Sequence, residues 1–418
     1  MAGGVQAADS KPLSAAVIRG SSVYTPAELF ASYRTELGKP IDRTTARAVI
    51  EALEAMYERD GYARPEIRAD ASLLESGILR IEVSEPRITQ VQVKGDPGPY
   101  RETLERVSAP LASMQAIRRT EVQRVLARMR ELPGLTVSAA TRRGAGDAND
   151  YVLDVETSFD ALEGMVRMSN RGTDEVGPNF LVGQAVANGL LARGEKLGLL
   201  FTAATDVEEY RGGGVFVDAP LGASGTRAFL LAFVSLSEPA IEPGEPFDRY
   251  ARDRFTLRVT HPLPKLSRFD LALSAVFDAE DFEIRRDGAK LREERLRVLQ
   301  VGPRVTWRSG ERTQYSVSLE LRQGLEEFGA SLQAADLTND LRREDFLLTR
   351  LNAVRLTQFN ERWSLRLDLL GQASGYVLPY SERFKIGGDR LGRGFEVTEI
   401  AGDTIWRSEE RRVGKECR

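Results

Sequence analysis

The chain has 418 residues, 42% of them hydrophobic and 29% charged, with a formal net charge of -4. That is too long for one compact core and too apolar for a disordered chain, and its acidic balance argues against nucleic acid as a partner. No apolar stretch approaches the roughly 20 residues of a spanning helix, which excludes helical spans but not a β-barrel, whose alternating strands leave only a weak hydropathy signal.

There is one cysteine, Cys417, and one histidine, His261. An intrachain disulfide is therefore impossible, and a zinc site or a Ser-His-Asp arrangement has almost nothing to be built from. His261 stands in Thr260-His261-Pro262 and reads as a solvated residue where a strand enters a turn. No acid, base and nucleophile converge, so an enzyme is the poorest reading, and no cofactor or metal is implied.

In chain order, residues 1–13 form a tail. Its Val5-Gln6-Ala7 resembles the small residues before a signal-peptidase cut, and the tail reads equally as the remnant of a longer leader or as a short disordered segment. Two α/β units follow, at 14–86 and 87–160, each with the order strand, helix, helix, strand, strand. In the first, Thr25-Pro26-Ala27-Glu28 carries a capping box with proline in the first turn. After Asp42 a second helix places Ala46, Val49, Ile50, Leu53, Met56 and Tyr57 on one face, and Gly61 ends it. Strands are expected over 63–71 and 78–83. In the second unit a strand over 88–93 leads to a helix over 100–107. An apolar stripe of Val122, Val125, Leu126, Met129 and Leu132 is closed by Pro133-Gly134, and two strands finish the unit.

From Ala161 the helical period gives way to alternation. Phe255, Leu257 and Val259 alternate with Thr256, Arg258 and Thr260, and Tyr315, Val317, Leu319 and Leu321 with Ser316, Ser318 and Glu320. About eleven such strands of roughly ten residues are expected, the length that crosses a bilayer. They fall near 162–170, 178–189, 195–205, 209–219, 226–236, 250–261, 268–279, 294–308, 312–323, 344–358 and 361–373. Short connections alternate with longer polar ones. Arg211-Gly212-Gly213-Gly214 is followed by no helix, so a phosphate-binding loop is not indicated.

Three sets of residues carry a resemblance. In the first unit Tyr57, the pair Gly61-Tyr62 and the strand-exit acid Glu85 resemble the pattern of POTRA domains, the periplasmic repeats of outer-membrane assembly and secretion proteins. Residues 371–395 contain Gly371-Gln372-Ala373, Leu378-Pro379, Glu382, Phe384-Lys385-Ile386-Gly387-Gly388 and Arg393-Gly394-Phe395. They resemble the inward-folded loop of the POTRA-plus-barrel superfamily. With two α/β units and eleven strands before the loop, the chain is similar to the two-partner-secretion branch, the haemolysin-activator (ShlB-FhaC-HecB, or TpsB) family. Finally, residues 407–418 resemble the in-frame translation of a sequencing adapter, so that Cys417 would not belong to the natural chain.

The resemblance implies an α+β pair of periplasmic repeats followed by an antiparallel transmembrane barrel over 161–406, sited in the outer membrane. A family barrel has sixteen strands, so about five are expected to be missing, and an open edge is not expected to be stable in lipid. It also implies that Arg393 pairs with an acid on later strands, that the full-length protein is a monomer, and that its partners are outer-membrane lipid and a secreted β-helical adhesin or haemolysin. The POTRA sheet edge would take that client as an added strand. A plug helix before the first repeat is in doubt. Two alternatives remain open: an assembly factor of the BamA/TamA type, and a passive porin with periplasmic domains.

Overall fold

The computed structural model describes residues 11–70, 76–170, 172, 177, 179–222, 224–239, 248–264, 269–334, 341–386 and 400–414. The chain divides into two compact units, Met1–Ala161 and Leu162–Arg418.

The first unit repeats one small motif twice. Strand β1 (Ala15–Arg19) leads into α1 (Pro26–Tyr33), α2 (Arg43–Arg59), β2 (Glu66–Asp70) and β3 (Ile78–Ser84). Thr25 and Glu28 cap α1 reciprocally, each taking the other's backbone N–H. Asp42 caps α2 by accepting from the Thr45 N–H at 2.8 Å. The sheet order is β1-β3-β2, with β1 parallel and β2 antiparallel to β3. The apolar stripe of α2 closes this sheet through Val49, Leu53 and Tyr57, packed on Leu79, Ile81 and Val83.

The second motif has β4 (Arg87–Gly95), α3 (Arg101–Ala112), α4 (Arg119–Arg130), β5 (Leu135–Arg143) and β6 (Asp150–Phe159). Its order β4-β6-β5 copies the first, with β4 parallel and β5 antiparallel to β6. Its core joins Tyr100, Leu104 and Met129 to Leu153 and Val155. Helix α3 runs five residues past the expected Val107, carrying Pro110 in its last turn. Leu111 explains the extension: it is buried in this core, and that burial offsets the lost hydrogen bond.

The second unit is dominated by one large antiparallel sheet. Its strands are β7 (Leu162–Ser169), β8 (Phe180–Asn188), β9 (Lys196–Ala204), β10 (Tyr210–Pro220), β11 (Arg227–Ser237), β12 (Asp248–Pro262), β13 (Phe269–Arg286), β14 (Ala289–Ser309), β15 (Thr313–Gly324), β16 (Ser331–Ala334), β17 (Leu347–Gln358) and β18 (Trp363–Ser374). A short pair, β19 (Phe384–Ile386) and β20 (Ile400–Gly402), stands apart, and β21 (Ile405–Gly414) rejoins the large sheet. Each strand pairs with the next in sequence, except that β16 leaves the path to pair with β14, so that β17 pairs with β15 and β21 with β18. The sheet is open among the described residues, with β7 at one end and β21 at the other.

Burial along the strands is inverted relative to a soluble protein. Leu199, Leu319 and Val301 point to solvent, at 57%, 44% and 42% exposure, whereas Thr256, Ser318 and Gln372 are buried. One face is an apolar belt and the other a polar wall, as lipid outside and water inside require.

The strands lie where alternation places them, apart from the short β16, which falls between the strands expected over 312–323 and 344–358, and two further differences. The first is a hairpin: β13 and β14 run on to a two-residue turn at Asp287-Gly288, both at positive φ (49° and 81°). Such a turn matches the twist of paired strands and favours Asp-Gly. At roughly 3.3 Å per residue β14 is about 70 Å long, well beyond what a tilted strand needs to cross a core of about 30 Å. The second concerns β21, expected to stop near Thr404, which pairs with β18 as far as Gly414. Ladder bonds use main-chain groups that every non-proline residue carries, so an open strand edge pairs without regard to side-chain pattern.

Candidate functional site

Neighbouring strands are antiparallel, so their connections fall alternately at the two ends of the sheet. One end holds the short links 189–195, 221–226, 263–268, 310–312 and 359–362. The other holds 205–209, 238–247, the 287–288 turn, 325–346 and 375–404. The described part of the last and longest packs against the polar wall. Its first part, 375–386, is anchored by Leu378, which is fully buried among Leu296, Val298, Phe346 and Leu348.

Glu382 follows, 6% exposed, and three wall strands converge on it. From β15, Arg322 donates to both carboxylate oxygens, at 2.6 and 3.2 Å. From β17, Arg350 donates to Oε2 at 3.1 Å and to the Glu382 carbonyl at 3.0 Å. From β18, Gln372 donates to that same carbonyl at 3.2 Å and accepts from Arg350 at 2.7 Å. Behind them Arg322 also donates to Gln300 of β14 and Asp278 of β13, at 2.5 and 3.5 Å. Asp278 in turn accepts from Thr256 at 2.6 Å.

Register assembles this set. Gln300 lies directly opposite Arg322, and Arg350 directly opposite Gln372. Two cations and two carboxylates share the cluster, and every charge in it is paired. Removing one member of such a buried set typically costs about 3–5 kcal/mol, because its partners stay desolvated and uncompensated. Asp403 holds the return of the loop, accepting from the Leu378 N–H at 3.3 Å and from Arg383 at 3.2 Å.

Of the loop residues singled out from the sequence, Phe384 lies in β19 opposite Gly402. Gly387, Gly388, Arg393, Gly394 and Phe395 lie outside the described residues. Sequence reasoning quoted Glu382 but missed Arg322, Arg350 and Asp278. The available signal was a charged residue at an inward position of an otherwise alternating strand.

Tyr57, Gly61, Tyr62 and Glu85 meet at one end of the first α/β motif rather than on its edge strand. The Tyr57 hydroxyl donates to Glu85 at 2.5 Å and shares a 2.8 Å hydrogen bond with Ser21; Glu85 also takes the Ser22 N–H at 3.0 Å. Burial, reinforced by the Glu85 carboxylate, pushes the Tyr57 phenol well above its ordinary value. Gly61, at φ 81°, turns the chain so that its carbonyl accepts from the Arg119 N–H at 2.9 Å. The Arg118 guanidinium lies 5.4 Å over the Tyr62 ring. Gly61 and Tyr62 therefore join the two motifs, while Tyr57 and Glu85 bond within the first. Nearby, a polar cleft of about 440 Å³ is lined by Arg19, Glu66, Arg68, Glu82 and Asn149. His261 bonds Thr226 through Nδ1 at 2.7 Å.

Comparison with known proteins agrees with this architecture. Residues 254–409 match the model of the family described as haemolysin secretion/activation protein ShlB/FhaC/HecB. No curated protein sequence matches the chain. Among solved structures, CdiB from Escherichia coli superposes with a TM-score of 0.71 at 20% identity, over 97% of this chain and 76% of that one. CdiB from Acinetobacter baumannii gives 0.59 at 12% identity, over 98% and 77%.

The paired α/β repeats and the wide sheet with its infolded loop have the fold of the CdiB structures, and the family match points to an outer-membrane β-barrel. Residues 254–409 match the haemolysin secretion/activation family, and with the CdiB-like fold this makes the chain similar to transporters of the two-partner-secretion type.

Proposed function

We propose that residues 14–86 and 87–160 are two POTRA repeats that capture one unfolded exoprotein in the periplasm, and that residues 161–406 pass it through the barrel to the cell surface. The cargo is a large β-helical adhesin or haemolysin, whose folding outside supplies the drive. The full-length transporter acts as a monomer, without nucleotide, metal or catalytic step.

Capture rests on the edge strand β2, whose unpaired main-chain groups can accept an extended segment. The adjoining cleft, with Arg19 and Arg68 facing Glu66 and Glu82, offers polar partners to that segment. Gly61 and Tyr62 join the two repeats beside it, while Tyr57 and Glu85 bond within the first. In the barrel, Phe384 and Glu382 fix the foot of the loop, whose motif residues Gly387, Gly388, Arg393, Gly394 and Phe395 lie outside the described residues.

The observation that carries the reading is Glu382, a buried loop carboxylate held by two wall arginines within the family-matched region. The test is secretion of the exoprotein encoded beside the gene, with full-length transporter bearing Glu382→Ala. Exoprotein should fall in the medium while the transporter stays in the outer membrane with heat-modifiable mobility. Undiminished secretion would refute the role of the loop. Secretion of no such partner by the unaltered transporter would favour the assembly-factor alternative.

A further inference from the structure

The extension of β13 and β14 beyond bilayer-spanning length has no part in the family motif, yet it touches the same loop. Glu294 of β14 is 2% exposed. Its Oε1 accepts from the Tyr380 N–H at 3.0 Å, and its Oε2 accepts from the Ser381 N–H at 3.0 Å and the Ser381 hydroxyl at 2.9 Å. Three donors of the loop thus converge on one carboxylate, each a charge-assisted bond.

Directly across the ladder from Glu294 is Phe282. The Tyr380 ring stacks on Phe282 at 6.1 Å and 14°, and Phe282 stacks on Tyr250 at 6.4 Å and 25°. The Lys385 ammonium sits 3.9 Å over Tyr380 from the other strand of the loop. The loop foot is therefore gripped at two levels. Glu382 is held in the wall by Arg322 and Arg350, and just before it Tyr380 and Ser381 are held by the overlong hairpin.

We infer that the β13–β14 extension is a seat for the inward loop, with Glu294 as its positioning residue, and that this second hold sets how far the loop narrows the lumen. The inference rests on the proposed function only in taking the barrel as a conduit. Two adjacent grips on one segment restrain its tilt as well as its position. Loss of Glu294 leaves the loop tethered through Glu382 but free to swing.

The experiment uses full-length protein in planar bilayers, with Lys385→Cys as a reporter for a membrane-impermeant maleimide. Glu294→Ala should raise channel open time and labelling at residue 385 at least about tenfold, the scale of losing even one of its three charge-assisted hydrogen bonds. Glu294→Gln keeps one accepting oxygen and should fall between. It also serves where Glu294→Ala does not fold. Glu283→Gln, on the same hairpin but paired with Arg285 and Lys290, should leave both readouts unchanged. Folded Glu294 variants with the unaltered conductance and labelling would overturn the seat. Conductance needs no client, so a change there without any secretion by the parent protein would sink the transport reading and leave the seat standing.

Discussion

The two units solve folding in opposite ways. In the first, helices α1 to α4 close two small sheets, and the largest buried side chains, Tyr57, Tyr100 and Leu53, lie in apolar cores. In the second, a ladder of main-chain bonds carries the structure, many apolar side chains point outward, and beside the small cluster around Leu378 the buried groups include Arg322, Glu382, Asp278 and Gln372. The same residue types therefore contribute with opposite sign. A leucine stabilises the first unit by leaving solvent, whereas in the second it stabilises by facing lipid.

That contrast can be broken by substitution, and the largest effect belongs to the wall. Arg322→Ala takes from Glu382 its doubly bonded cation and leaves it to Arg350 alone, so it should cost about 3–5 kcal/mol, read as a lower temperature of heat-modified gel mobility. Next, Leu53→Ala in the first core should cost about 2–5 kcal/mol in urea unfolding of that unit, whereas Leu319→Ala on the outer face should be far milder. Leu319→Arg, by contrast, should cost about 2–4 kcal/mol near mid-bilayer, a penalty no exposed leucine of a soluble protein would show. Thr25→Ala removes half of a capping box and should cost about 1 kcal/mol.

The smallest expected effect is pH dependence confined to the first unit. Backbone N–H donation from Thr45 holds Asp42 below the usual carboxylate range, and Thr25 does the same for Glu28. A carboxyl whose folded value is lowered stabilises fully above its unfolded value and loses that contribution as pH falls through the folded one. Melting of the first unit should therefore be flat at neutral pH and decline in acid. A rise in stability on acidification would contradict the caps.

Most of the fold was legible because each unit has a simple period. Phe255, Leu257 and Val259 alternate because β12 has a lipid face and a water face, and Val49, Leu53 and Tyr57 repeat because α2 has one core face. Local chemistry hid one feature: Asp287-Gly288 is a two-residue hairpin signal, but the charges around it read as loop. They are in fact cross-strand and neighbouring pairs, such as Arg286 with Asp248 and Lys290 with Glu293. The site was legible only in part. Glu382 stands within a recognisable motif, yet Arg322 lies 60 residues before it, and only the registers of β14 with β15 and β17 with β18 bring its partners together. Register depends on pairing across the whole sheet and leaves no local mark. The proposed lock of Arg393 lies outside the described residues.

The most direct test of the account is exoprotein secretion by full-length transporter carrying Glu382→Ala, with Glu382→Gln beside it. Held by Arg322 and Arg350, Glu382 should be needed in charged form. The account predicts strongly reduced secretion for the alanine variant and an intermediate level for glutamine, both with transporter folded in the outer membrane. Secretion at the parent level from a folded Glu382→Ala transporter would contradict it.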